Sequence, residues 1–145
     1  MQAFMMALDQ LFNPFTLLTL FGGVIGGIIA GALPGLTATM GVAILVPFTF
    51  AMPPVPGILM LLGLYAGAIY GGSIAAILIR TPGTPSAAAT VLDGSPLFDK
   101  GEGGRALGIA TLASVFSGIG SSIFLVFLAP LLSRVALSFS APEYF

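Results

Sequence analysis

Residues 10–79 carry no charge at all. A run of that length dictates the solvent before it dictates the fold. A helix needs roughly 20 apolar residues to cross roughly 30 Å of hydrocarbon, so this stretch holds two or three crossings. A second uncharged run, 106–133, holds another. Only 6% of the chain is charged, with a mean hydropathy of +1.12, where a water-soluble domain carries about a quarter charged residues. The sequence therefore predicts an all-α integral membrane protein, a polytopic helical bundle.

Proline and glycine divide the apolar runs. Residues 1–14 hold no Lys or Arg, so they lack the basic start of a signal peptide. Phe4, Met5, Leu8, Leu11 and Phe12 share one helical face, which reads as an interfacial segment. Asn13-Pro14 then opens the helical spans of 15–79. The first span covers 15–33, and Leu33-Pro34-Gly35 interrupts it. A second, 36–52, contains Pro47 and is short for a crossing, so a tilted, broken or partly inserted helix is expected. The prolines at 53, 54 and 56 break the chain again, because proline lacks an N–H and disfavours a helical residue before it. A third span covers 57–79. Residues 80–105 form a Pro-Gly segment and polar loop holding six of the nine charges, with the loop expected over 94–104. A long span over 106–133, with a bend at Pro130 expected, leads to a tail at 134–145.

Small residues recur every fourth position. Gly23, Gly27 and Gly31 do so in the first span, with Gly22 and Gly26 beside them; Gly63, Gly67 and Gly71 do so in the third. Ala110, Ser114, Gly118 and Ser122 repeat the pattern in the last. Membrane helices pack by close backbone approach across such stripes, so several helices must bury one another.

Two segments share a further pattern, Pro-Gly and hydroxyl residues in front of a new apolar run. One is Pro34, Gly35, Thr37 and Thr39; the other is Thr81, Pro82, Gly83, Thr84 and Ser86. Proline ends one helix, glycine takes angles that other residues resist, and the next helix starts with free N–H groups. Thr84 is placed to cap a helix with Pro85 at its first position, running from Ser86 to Asp93 and closed by Gly94. Two turns are too few to cross, which points to a re-entrant half-helix. Helix N-termini favour anions, and transporters use paired broken helices as binding sites. The same pattern also serves ordinary turns between helices at the membrane surface.

Arg80 reads either as a partner for a substrate carboxylate or as an interfacial anchor, and Asp93 either as a ligand for a coupling cation or as a helix-end carboxylate. Tyr65 and Tyr70 read as packing residues. There is no Cys or His, which excludes thiolate metal sites and His-based catalysis within this sequence. No phosphate-binding Gly-x4-Gly-Lys loop occurs, and four scattered basic residues form no track for nucleic acid. Neither a metal nor an organic cofactor is expected. The classes left are a transporter and a non-transporting scaffold or assembly subunit. An intramembrane enzyme lacks support from any metal cluster or activated nucleophile.

The runs Gly31 to Thr39, LYAGAIYGGSIAAILIRTPGTPSAAATVLDG (64–94) and KGEGGRALGIATLASVFSG (100–118) resemble the TctA family, the large membrane permease subunits of tripartite tricarboxylate transporters. The resemblance runs from about residue 15 to the end. It implies secondary-active, ion-coupled uptake of carboxylates at the bacterial inner membrane, with proton or sodium as the coupling ion. It implies two partners, a small membrane subunit and a periplasmic solute-binding protein. It also implies that Pro34, Gly35, Pro82 and Gly83 shape the substrate site. Family members carry a second, related half, so residues 1–145 are expected to be the first, N-terminal half and inactive alone.

Overall fold

In the computed structural model, which describes residues 2–136, every regular element is a helix. These are α1 (Gln2–Leu11), α2 (Pro14–Ala32), α3 (Ala38–Thr49), α4 (Pro54–Ile79), α5 (Ala88–Asp99) and α6 (Gly103–Ala136), with a single 3-10 turn at Pro85–Ala87. Among the described residues, α2, α4 and α6 are long and apolar enough to cross a membrane. The tail expected over 134–145 lies, beyond residue 136, outside the described residues.

Local chemistry explains most boundaries. Asn13 caps α2, its Oδ1 accepting from the Phe15 N–H at 2.9 Å, with Pro14 at the first helical position. Pro53 precedes α4, and Pro54 and Pro56 sit inside its first turn, where a missing N–H costs nothing. The break there is therefore confined to residues 50–53 and takes in only the first of the three prolines. α3 has 12 residues, about 18 Å at 1.5 Å per residue, so it does not cross. The helix also continues through Pro47 without breaking there.

Residues 1–110 form one compact unit built on α2 and α4. These two helices are parallel, since partners advance together: Gly23 meets Met60, Gly27 meets Leu64 and Gly31 meets Ala68. The contact is reciprocal, with Gly63, Gly67 and Gly71 against the backbone at Leu20, Val24 and Ile28. A Cβ at any of these six positions would strike main chain of the other helix, so both stripes are needed to bring the axes this close. The neighbouring Gly22 and Gly26 face open space instead.

The return paths are short helices that each cover half of α4. α3 runs antiparallel along the N-terminal half, with Gly41 on Leu64 and Gly57 on Thr49. After α4 ends, residues 80–84 double back until Thr84 abuts Gly72. α5 then climbs the C-terminal half of α4. Gly94 receives the Ile77 side chain and the buried Ser95 Oγ donates to the Ala76 carbonyl at 2.8 Å. The excursion closes where it began, with Arg80 paired to Asp99. Residues 80–99 thus enter and leave at the same end of α4, the re-entrant arrangement expected.

The helix itself is longer than expected. It runs through Gly94 and Pro96 to Asp99, and the polar loop shrinks to residues 100–102. Gly94 was expected to stop the helix; here its missing Cβ makes room for Ile77. Tertiary packing overrides a local stop signal.

The second unit, from Thr111, is the remainder of α6. The helix continues through Pro130 to Ala136 without ending. Ser121 and Ser122 donate to the Gly118 carbonyl, and Ser133 to that of Pro130, so these hydroxyls are satisfied on their own helix.

Candidate functional site

The first Pro-Gly segment is a tight turn. Leu36 N–H donates to the Leu33 carbonyl at 3.2 Å, with Pro34 second and Gly35 third at φ 97°. Proline at the second place and a left-handed glycine at the third are the marks of a type II turn. Thr37 follows as the cap of α3, its Oγ1 accepting from Met40 N–H at 3.2 Å. The amides of Ala38 and Thr39, one turn too early for an intrahelical acceptor, are left at the helix start.

The second segment reaches a similar end by different means. Its left-handed residue is Arg80, at φ 55°, which closes α4. Gly83 does not supply unusual backbone angles, contrary to expectation: its φ is not positive. It is needed because a Cβ there would run into the Gly31 carbonyl oxygen, with the Gly72 Cα at 3.1 Å. Gly31, Gly72 and Gly83 therefore meet, and the turn is wedged where α2 ends against α4. Thr84 precedes only the three-residue 3-10 turn Pro85–Ala87, and α5 itself starts at Ala88 instead of Ser86; the Thr84 hydroxyl bonds Ser86 Oγ at 3.1 Å and no helix amide.

The two helix starts face one cavity of about 340 Å³. Thr37, Ala38 and Thr39 line it from α3, Thr84, Pro85 and Ser86 from the re-entrant segment, and Tyr65 and Ile69 from α4. α3 presents its N-terminal end to it, and the 3-10 turn that leads into α5 presents Thr84, Pro85 and Ser86. Tyr65 and Ile69 lie near the middle of the 26-residue α4, so the cavity sits about halfway along a membrane-length helix. No charged side chain lines it.

Of the sequence candidates, Thr37, Thr39, Thr84 and Ser86 are thus brought together. Pro34, Gly35, Pro82 and Gly83 form the turns behind them without lining the cavity. Thr81 is exposed and donates to the Ile79 carbonyl at 3.3 Å. Arg80 is exposed and engaged by Asp99 at the mouth of the re-entrant segment. Asp93 is exposed on α5, away from the lining. Among the described residues no cluster of acidic groups could hold a metal ion. Tyr65, read from sequence as packing, is 47% exposed and forms part of the wall. Tyr65, Ile69 and Gly72 share one face of α4 by helical spacing, a signal that could have pointed to them.

The family model for the tripartite tricarboxylate transporter TctA family matches residues 17–145. The chain belongs to the TctA family. A relative from Agrobacterium vitis, named as an uncharacterized 52.8 kDa protein in the TAR-I ttuC' 3' region, is 46% identical over 133 residues. That match covers 92% of this TctA-family chain and 26% of the relative, so the chain spans about a quarter of that protein's length. No solved structure matches it.

Proposed function

We propose that this chain is part of the permease of a secondary-active, binding-protein-dependent carboxylate uptake system in the bacterial inner membrane. On this reading the cavity between α3 and the re-entrant segment holds a substrate carboxylate. One observation carries it: the two Pro-Gly segments place the N-terminus of α3, the 3-10 turn ahead of α5 and four small hydroxyl side chains around one space halfway along α4. Helix N-termini carry partial positive charge, and their amides with the hydroxyls replace the water around an anion without a buried lysine. The residues proposed to touch substrate are Thr37, Thr39, Thr84 and Ser86, with Pro34, Gly35, Pro82 and Gly83 shaping the backbone. Arg80 is committed to Asp99 and is left out of the contacts.

Family membership supports the remaining parts: a small membrane subunit, a periplasmic binding protein, and proton or sodium as the coupling ion. The rest of the permease completes the site. The test is ligand-dependent thermal stabilisation of the complete transporter across a panel of carboxylates, with Ser86→Ala and Thr39→Ala beside Lys100→Ala. One or more carboxylates should raise the midpoint, the first two variants should weaken that rise, and Lys100→Ala should not. A flat response to every carboxylate, with uptake absent, would leave a scaffold or assembly subunit as the better description.

A further inference from the structure

Tyr65 borders a second space. Beside the hydroxyl-lined cavity lies one of about 310 Å³, walled by Val42, Ile58, Leu61, Leu62 and Tyr65. Tyr65 is the single residue that lines both. On one side of it stand Thr37, Thr39, Thr84 and Ser86; on the other every neighbour is aliphatic. Tyrosine suits such a boundary, with an apolar ring and a polar tip.

The hydroxyl side has hydrogens to give. Thr37 Oγ1 accepts from Met40 N–H and keeps its own hydrogen to give. Thr84 and Ser86 use one hydrogen between them and have one left over. The wall thus offers donors, and a ligand that only accepts, such as a carboxylate, is matched there. Apart from Tyr65, the other side offers no hydroxyl and suits an alkyl chain.

We infer that Tyr65 sets the length and polarity of the substrate, its ring closing the carboxylate cavity off from the aliphatic one so that short polar carboxylates are taken and alkyl-tailed ones refused. This rests on the carboxylate-site reading above. Shortening the side chain joins the two spaces. Tyr65→Phe keeps the partition and removes only the hydroxyl.

The experiment measures binding to the complete transporter in detergent, with citrate and malate as short probes and octanoate as the tailed one. Tyr65→Ala, Tyr65→Phe and Ser86→Ala are compared with the unmodified protein, each checked for expression and a cooperative melt. Tyr65→Ala should raise octanoate binding relative to the short acids by about tenfold or more, the gain expected from burying about two methylenes. Tyr65→Phe should leave that ratio within about twofold while weakening all acids slightly. An unchanged ratio in folded Tyr65→Ala, with Ser86→Ala still weakening every acid, overturns the role of Tyr65 and spares the site. No effect of Ser86→Ala or Tyr65→Ala on any probe overturns both. If Tyr65→Ala does not fold, Tyr65→Leu carries the test, with a ratio unchanged from wild type counting against the inference.

Discussion

The two Pro-Gly turns look alike in sequence and work by different physics. At the first, Gly35 has open space around it and a φ of 97°, so glycine is there for its conformation. At the second, Gly83 has an ordinary φ and no space, because the Gly31 carbonyl and the Gly72 Cα crowd it. The left-handed duty of that turn falls to Arg80, three residues earlier. One motif thus covers two needs, a bend that stands free and a wedge that locks a re-entrant segment against the α2–α4 pair. The free turn should tolerate change in proportion to backbone strain. The wedged turn should not tolerate an added carbon at all.

Gly83→Ala is the sharpest way to break this comparison. Its Cβ would meet main chain on two helices, neither of which can rotate aside. The turn must lift out, carrying Thr84 and Ser86 away from the cavity. Uptake and carboxylate-dependent stabilisation by the complete transporter should be lost even where expression persists. Normal transport by a folded Gly83→Ala protein would mean that the wedge has no part in the site.

Gly35→Ala should do less. A left-handed conformation costs a residue with a Cβ about 1–2 kcal/mol, and asparagine bears it better. The thermal midpoint should therefore fall for Gly35→Ala and fall less for Gly35→Asn, with uptake retained in both. Equal damage from Gly35→Asn and Gly35→Ala would show that something other than φ selects this glycine.

The caps sharpen the contrast further. Thr37 binds a helix amide, so Thr37→Ala should lose about 1 kcal/mol of stability, within the usual 0.5–2 range for a cap. Thr84 binds Ser86 instead, so Thr84→Ala should spare the helix and act mainly on carboxylate affinity. Melting curves with and without ligand separate the two. A larger loss of ligand-free stability from Thr84→Ala than from Thr37→Ala would contradict the assignment of caps.

How far these differences could be read beforehand depends on the range of the interaction. Charge-free runs set the solvent and the helical class, and proline placed the breaks near residues 33–37, 50–53 and 80–84. The convergence of Thr37, Thr39, Thr84 and Ser86 is one of two readings the sequence leaves open, because residues that follow a helix break serve an ordinary turn equally well. What sequence could not supply was which glycine meets which backbone. Gly31 lies far from Gly72 and Gly83 in the chain and meets them only once α2 packs along α4. Gly94 was misread for the same reason, since its neighbour Ile77 comes from another helix. Tyr65 looked like packing because an aromatic residue in an apolar span usually is.

The smallest effect is expected at Arg80, and it tests the other half of the comparison. Arg80 holds a left-handed conformation that glycine would take freely, and helices commonly end on glycine in that geometry. Replacing it by glycine relieves about 1 kcal/mol of strain and removes the pair with Asp99. Both partners are more than half exposed, 63% and 52%, and screened pairs of this kind contribute about 0–1 kcal/mol. The two terms offset, so Arg80→Gly should leave the midpoint nearly unchanged. Arg80→Ala keeps the strain and loses the pair, so it should melt slightly below the unmodified protein, and that gap should shrink as salt rises. If Arg80→Gly instead destabilises strongly, and salt does not alter the loss, Arg80 holds the re-entrant segment by contacts other than its pair with Asp99. The wedge at Gly83 would then not be the main lock.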